Sequence, residues 1–382
     1  MKYLDEDSVT LYNGDCLEVL KDIQNDSVDC VITSPPYYQL RKYSGIPDYV
    51  WGGDKSCEHD WSLIERKPIG GSGSNGNVGA NKNDSANMRD GSVFSNICSK
   101  CGAWKGQLGL EPTYRMYLDH MIAIMSELAR VLKPSGTMWI NLGDSYSGSG
   151  NGTNDYRTEK SKSISGKGFD YNKLIQAKQT DENKKLFPSK SLMLIPHRFA
   201  IRCVDELGLI LRNDIIWAKR NGMPESVTDR FSKKHEFIFF FVKGQKYYFD
   251  LDSVRGKHKP ESVKRNEYGL AAYQDPMASR NREFKPGDFL NENGKNPGDV
   301  SDFWDIPTRP SSAKHYATYN NDLIDKPIIA GCPEGGIILD PFCGTGTTIA
   351  RATQLGRRGI GIDGSSEYCK IAKERISQKE LF

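Results

Sequence analysis

No stretch of this sequence is apolar for long enough to cross a bilayer. The longest aromatic-aliphatic run, FIFFFV at 237–242, falls far short of the roughly 20 residues a spanning helix needs. A secretory leader is missing too: the N-terminus, MKYLDEDSVT, carries acids where a leader has a basic and then an apolar stretch. A cytoplasmic protein is expected. The nine cysteines are an odd number in a chain without a leader, which argues against a disulfide framework. Charge of a single sign is also lacking, since 52 Lys and Arg face 49 Asp and Glu, for a formal net charge of +3. That balance neither demands nor excludes a polyanionic partner. There is no internal repeat.

What is present fits a globular protein with a sizeable core: 382 residues, 37% hydrophobic and 26% charged. Residues 9–33 predict a short strand, a helix around Cys16 to Ile23 and a strand from Val28 to Thr33. Apolar residues at helical spacing predict a helix from about Pro112 to Leu132, stopped by KPSG, with a strand at 137–142. A second helix is expected over 192–208, followed by a pair of strands. GGIILDPFCGTGTTIARATQLGRRGIGID then reads strand, glycine-rich turn, helix, strand. Alternating helices and strands at both ends imply an α/β fold with a mostly parallel sheet covered on both faces. Between these parts lie polar stretches, 52–110, 148–190 and 253–312. From Arg157 to Lys190 nine Lys and Arg stand against four Asp and Glu, the composition of a basic surface segment.

The strongest local signal is ILDPFCGTGTT, 338–348. A buried strand ends at Asp340, and Gly344 and Gly346 let the backbone approach a ligand closely before a helix begins near Thr347. Asp363, at the end of the next strand, can accept hydrogen bonds from a ribose. A nicotinamide dinucleotide fits poorly, because the third position of the Gly-x-Gly-x-x-Gly fingerprint is Ile349. A cationic cofactor without phosphates, S-adenosyl-L-methionine, fits better, with Asp340 serving its ammonium side and Asp363 its ribose. The second signal is TSPPY, 33–37. Pro35 and Pro36 fix the backbone and cannot donate. With Ser34 they form a rigid array of acceptors suited to an exocyclic amino group. Tyr37 offers a face for stacking a planar base.

These motifs resemble those of the amino-methylating DNA methyltransferases, which carry an (Asp/Asn/Ser)-Pro-Pro-(Tyr/Phe/Trp) motif and a Phe-x-Gly-x-Gly cofactor loop. TSPPY precedes DPFCGTGTT, which resembles the permuted order of the β class. Further matches, in LYNGDCLEVL, LARVLKPSGTMWINLGDSY, the 211–243 stretch and KHYATYNNDLIDKPIIAGCPEGGIILDPF, extend the resemblance over more than half of the chain. ATYN stands where this class often has a Phe-Pro pair, which bears on the packing around Tyr319. The resemblance implies a single circularly permuted Rossmann-like methyltransferase domain over 1–382, with insertions. It implies Asp15 near the cofactor's adenine and Phe342 in the cofactor loop. It also implies direct methyl transfer, with Ser34 and the Pro35 carbonyl holding a base flipped out of double-stranded DNA. No Pro-Cys dipeptide occurs, so the covalent nucleophile of a cytosine carbon-5 enzyme is absent. Ser at the first motif position favours cytosine N4, with adenine N6 as the alternative. Target recognition is expected from 148–190 and 253–312, and a cognate restriction endonuclease is a partner to look for. Methylation of RNA or protein is disfavoured by the motif order. A catalytically silent DNA-binding protein would not need Ser34, Tyr37, Asp340 and both glycines intact.

The cysteines supply a second constellation. Cys57, His59, Cys98 and Cys101 form a Cys3His set with a Cys-x-x-Cys knuckle, the pattern of a structural zinc site. A metal staple would organise an insertion at 52–110 whose glycine- and asparagine-rich composition has little capacity for its own core. The remaining cysteines, such as Cys16, Cys30 and Cys203, read as small core residues, and His120, His197, His235 and His315 as structural.

Overall fold

The structure, a computed structural model, describes residues 1–43, 45–61, 63–65, 92–94, 96–147, 186–222, 225–257, 261, 295–296, 300–308 and 321–377. Among these, nine strands build one mixed sheet. They are β1 (Lys2–Glu6), β2 (Val9–Asn13), β3 (Val28–Thr33), β4 (Leu132–Leu142), β5 (Ile210–Ala218), β6 (His235–Val242), β7 (Phe303–Asp305), β8 (Ile337–Asp340) and β9 (Arg358–Asp363). Their spatial order is β1-β2-β9-β8-β3-β4-β6-β5-β7. The run β2-β9-β8-β3-β4 is parallel throughout, while β1, β6 and β5 pair antiparallel with β2, β4 and β6. The strands from the chain's end, β8 and β9, therefore lie between β2 and β3 from its beginning. That interleaving is the permutation expected from the motif order.

Both faces are covered, which is why β3 reads VDCVIT with little alternation. Val31, Met138 and Ile140 pack toward α2 (Tyr114–Val131) and α3 (Ile195–Leu207). Their neighbours Cys30, Ile32 and Trp139 point the other way, toward α4 (Asn321–Gly331). A third cluster packs β1 and β2 against α5 (Thr347–Gln354) and α6 (Ser366–Ser377). α1 (Cys16–Leu20) completes the first layer. The chain enters α2 through Thr113, whose hydroxyl accepts the Met116 N–H at 3.1 Å, a side-chain cap for the first turn. α2 ends at Val131, close to the expected boundary. KPSG is not a separator, however: β4 already begins at Leu132, and the irregularity falls in its register with β3, between Val28 and Cys30.

Two edge strands, β1 and β7, were not legible, and β7 lies inside the polar 253–312 stretch. The 52–110 stretch contains the ribbon of Leu63–Glu65 with Ser92–Phe94, and its Trp104–Gly106 strand pairs with Tyr49–Trp51 just before it. Most of 148–190 and 253–312, with His315 and Tyr319, lies outside the described residues. No described helix is long and apolar enough to cross a membrane.

Candidate active site

The carboxyl ends of β3, β8 and β9 meet at one edge of the parallel sheet, where open α/β folds place their ligand crevices. There a cleft of about 1050 Å³ opens. Asp15, Ser34, Pro36, Phe342, Gly344, Thr347 and Asp363 line it, so residues from both ends of the sequence are brought together.

Asp363 sits at the end of β9, 8% exposed. Its carboxylate accepts the backbone N–H groups of Gly344 at 2.9 Å and Ser365 at 2.8 Å. Burial outweighs these bonds and pushes its pKa up to about 6. Gly344 has φ +51°, and a Cβ there would meet no atom within 4 Å, so its backbone faces open space as a ligand cradle requires. Asp15 caps α1, one oxygen taking the N–H groups of Leu17 and Glu18, and burial raises its pKa.

Two expected cofactor residues do other work. Asp340 is 1% exposed and does not face the cleft. Its carboxylate accepts Thr33 Oγ1 at 2.6 Å, Thr348 Oγ1 at 2.7 Å and the Phe342 N–H at 3.1 Å. It thereby ties the end of β3 to the cofactor turn and to α5, instead of reaching an ammonium. Gly346 stands at the N-terminus of α5 with φ +76°, and a Cβ there would lie 2.7 Å from that of Ala372. Its smallness lets α6 pack.

Ser34 and Pro36 border the cleft, and Pro35 is buried. Of the acceptors expected here, the Pro36 carbonyl is taken by the Tyr117 hydroxyl at 2.9 Å. No described donor reaches the Pro35 carbonyl. Tyr37 is half-buried, with its ring edge against Gly143, where a Cβ would come within 2.6 Å. Its hydroxyl lies 2.8 Å from both Asn141 Oδ1 and Glu236 Oε2, and 3.3 Å from Ser34 Oγ. Glu236 in turn pairs with Lys219. Burial, then the Glu236 carboxylate, push the phenol pKa well up, so the ring is held as a neutral, oriented plate.

The sequence reading missed the outer wall of the cleft: Tyr43, Ile46, Tyr49, Trp51 and Gln107. Gln107 holds the segment with three hydrogen bonds, from the Tyr43 N–H and to the Tyr43 and Ile46 carbonyls. The aromatic density of YSGIPDYVW, 43–51, was the available signal. Glu236, the one acid in an otherwise aromatic and aliphatic HEFIFFFV, was another.

Cys57, His59, Cys98 and Cys101 do converge, their ligand atoms all within 4.8 Å of one another. Cys57 and Cys98 sulfurs stand 4.0 Å apart, and Cys101 Sγ is 3.4 Å from His59 Nδ1. Tetrahedral zinc, with bonds of about 2.3 Å to sulfur and 2.0–2.1 Å to nitrogen, separates such ligands by about 3.5–3.8 Å. The donor set fits the ion. Desolvation works against the Cys98 thiolate, but backbone N–H groups of Cys101 and Lys100 and the His59 ring bring its pKa down to about 6. His120 is buried and paired with Glu111 at 2.9 Å.

The chain is 29% identical over 377 residues to the type II methyltransferase M.Cfr9I of Citrobacter freundii, across 99% of this chain and 90% of that one. It is 30% identical over 367 residues to M.XycI of Xanthomonas campestris pv. cyanopsidis, across 96% and 87%. Among solved structures, a PvuII DNA methyltransferase described as cytosine-N4-specific shares the fold at a TM-score of 0.53 and 15% identity, across 96% of this chain and 86% of that one. A DNA methylase family model covering the N6 and N4 enzymes matches residues 28–374. The chain belongs to this family of DNA amino-methyltransferases.

Proposed function

We propose that the protein is a site-specific type II DNA methyltransferase that transfers a methyl group from S-adenosyl-L-methionine to the exocyclic N4 of a cytosine flipped out of double-stranded DNA. The observation that carries this reading is the convergence of Ser34 and Pro36 with Phe342, Gly344, Thr347 and Asp363 on one cleft at the sheet's carboxyl edge. When bound, the cofactor supplies an electrophilic sulfonium methyl group. Asp363 accepts the ribose hydroxyls, Asp15 lies toward the adenine, and Gly344, Phe342 and Thr347 border the remainder. Asp340 and Gly346 act by holding that turn in shape.

An exocyclic amine is a weak nucleophile because its lone pair is delocalised into the ring. The Ser34 hydroxyl, its proton turned toward Tyr37, presents lone pairs to one amine N–H, and the Pro35 carbonyl accepts the other. Both acceptors favour a tetrahedral nitrogen and stand where positive charge grows as the N–C bond forms. The anchored Tyr37 ring stacks on the base, a contact worth about 1–3 kcal/mol. Orientation within the cleft supplies much of the acceleration.

Cys57, His59, Cys98 and Cys101 hold a structural zinc ion within the 52–110 insertion of a single catalytic domain, all four coordination positions being protein ligands. The variable segments 148–190 and 253–312 supply target recognition. A type II setting implies a companion endonuclease for the same site. Adenine N6 is the second reading, because the family covers both bases; Ser34 in place of a carboxylate favours cytosine.

Nucleoside mass spectrometry on DNA from methylation-deficient cells expressing the protein, beside a Ser34→Ala control, tests the reading. N4-methylcytosine is expected only with the intact protein. N6-methyladenine would transfer the mechanism to the other base, and neither mark from a folded protein would overturn the DNA assignment.

A further inference from the structure

The Cys3His cluster does not stand apart from the cleft. Its knuckle, Cys98 to Cys101, turns directly into the strand Trp104–Gly106, through a Cys98 N–H to Ala103 carbonyl bond of 2.7 Å. That strand pairs with Tyr49–Trp51, in the register Trp51 opposite Trp104 and Tyr49 opposite Gly106. The Trp51–Trp104 end adjoins the cluster. The other end adjoins the cleft, where Tyr49 and Gln107 form the wall and Gln107 clamps residues 43–46. Across the opening, Tyr49 and Ile46 lie against Gly364, where an added Cβ would stand 3.0 Å from the Tyr49 hydroxyl. The wall therefore touches the residue next to Asp363.

A two-stranded ribbon of three residues per strand does not hold itself together in water. Contacts on both of its sides hold this one. On the inner side, Trp51 and Trp104 stack on His120, at 5.0 and 5.8 Å, and the His120–Glu111 pair anchors Gly109 through a 2.8 Å bond from its N–H. On the outer side Ile97 bridges to Trp104 and the Lys105 N–H bonds the Asn96 carbonyl at 2.7 Å, Ser99 bonds Asp60, and the Cys3His cluster joins residues 57–59 to 98–101. The loop leaving the ribbon is pressed against it: Gly53 has φ +68°, and a Cβ there would lie 2.8 Å from Cys101 Sγ. An ion bonded to all four ligands would add a covalent-strength tie to these hydrogen bonds at the end of the ribbon that leads to the cleft wall.

We infer that zinc at Cys57, His59, Cys98 and Cys101 and the cofactor in the cleft are thermodynamically coupled, the ion fixing the wall that covers the cofactor. This rests on the zinc reading above and adds a consequence to it. Coupling of this kind is reciprocal, and 5–150-fold effects are ordinary.

The test uses the full-length protein. Its zinc content is measured first, then its affinity for S-adenosyl-L-methionine with zinc loaded and after removal by a chelator, circular dichroism confirming that the sheet persists. Cofactor affinity is expected to fall about tenfold or more on stripping and to return with one equivalent of zinc. If stripping unfolds the protein, the reciprocal measurement replaces it: zinc affinity, by competition with a chromogenic chelator, should rise by the same factor when cofactor is present. A folded zinc-free protein with unchanged cofactor affinity, or a zinc affinity indifferent to cofactor, overturns the coupling while leaving the zinc site intact. A protein that binds no zinc overturns the site itself.

Discussion

Asp340 and Asp363 end neighbouring parallel strands, yet their surroundings give them opposite tasks. Asp340 takes three internal donors and is sealed from the cleft, whereas Asp363 takes two backbone donors and borders it. Asp340→Ala should therefore cost about 1–3 kcal/mol of stability through the donors it strands, read as a lowered denaturation midpoint. Asp363→Ala should instead weaken cofactor binding in a protein of near-normal stability. Loss of affinity alone in the Asp340 variant would return that residue to the ligand. A pH dependence also follows for Asp363. Its carboxyl ionises at about 6 in the fold against 3.8 as a free side chain, so the fold favours the protonated form. The stability this contributes is complete below pH 3.8 and is lost as pH rises through about 6. Ribose hydroxyls donate to the ionised form, so cofactor affinity should run the other way and strengthen between pH 5 and 7. In Asp363→Asn that slope should vanish; an unchanged slope would detach it from this carboxylate. Sequence alone located both acids, because each closes an apolar strand. It could not separate them, because the hydroxyls that claim Asp340 come from Thr33 and Thr348, and Thr33 stands 307 positions away.

The turn between β8 and α5 shows the same limit one level up. Strand, glycine-rich turn and helix were legible from periodicity and punctuation, and all three elements stand where expected. The division of labour between the glycines was not, since it depends on α6, which packs on the turn from beyond the next strand. Gly344→Ala meets open space and carries only a left-handed backbone penalty of about 1–2 kcal/mol, so its main effect should be on cofactor binding. Gly346→Ala adds a steric conflict with Ala372 to the same penalty, and overpacking costs a further 1–3 kcal/mol or so. Thermal denaturation should rank Gly346→Ala clearly below Gly344→Ala, and equal midpoints would refute the packing role. The ribbon of Tyr49–Trp51 and Trp104–Gly106 was obscured for another reason. Its two strands are separated by a long polar stretch of sequence, so neither looks like part of a wall until the chain is folded.

Across the whole molecule, the order of motifs and the composition of the apolar segments identified the parallel centre of the sheet. The edges escaped because β1 and β7 are short and each buries a single side chain, Leu4 and Trp304, too few to show a period. At this scale Ser34→Ala should reduce turnover far more than cofactor affinity, since the proposed mechanism sets its hydroxyl at the target amine. Steady-state kinetics beside a cofactor titration would check this, and equal losses in both would remove Ser34 from the target amine. Finally, β8 and β9 fill the centre of the sheet between β2 and β3, and Asn13 bonds to the Asp363 carbonyl across 350 positions. On a ribosome, β2 and β3 emerge early and must wait with open edges until residues 337–363 have been made, and open edges invite wrong pairings. The nascent chain can neither close its sheet nor complete its cleft before then, since Gly344 and Asp363 are part of the cleft's lining.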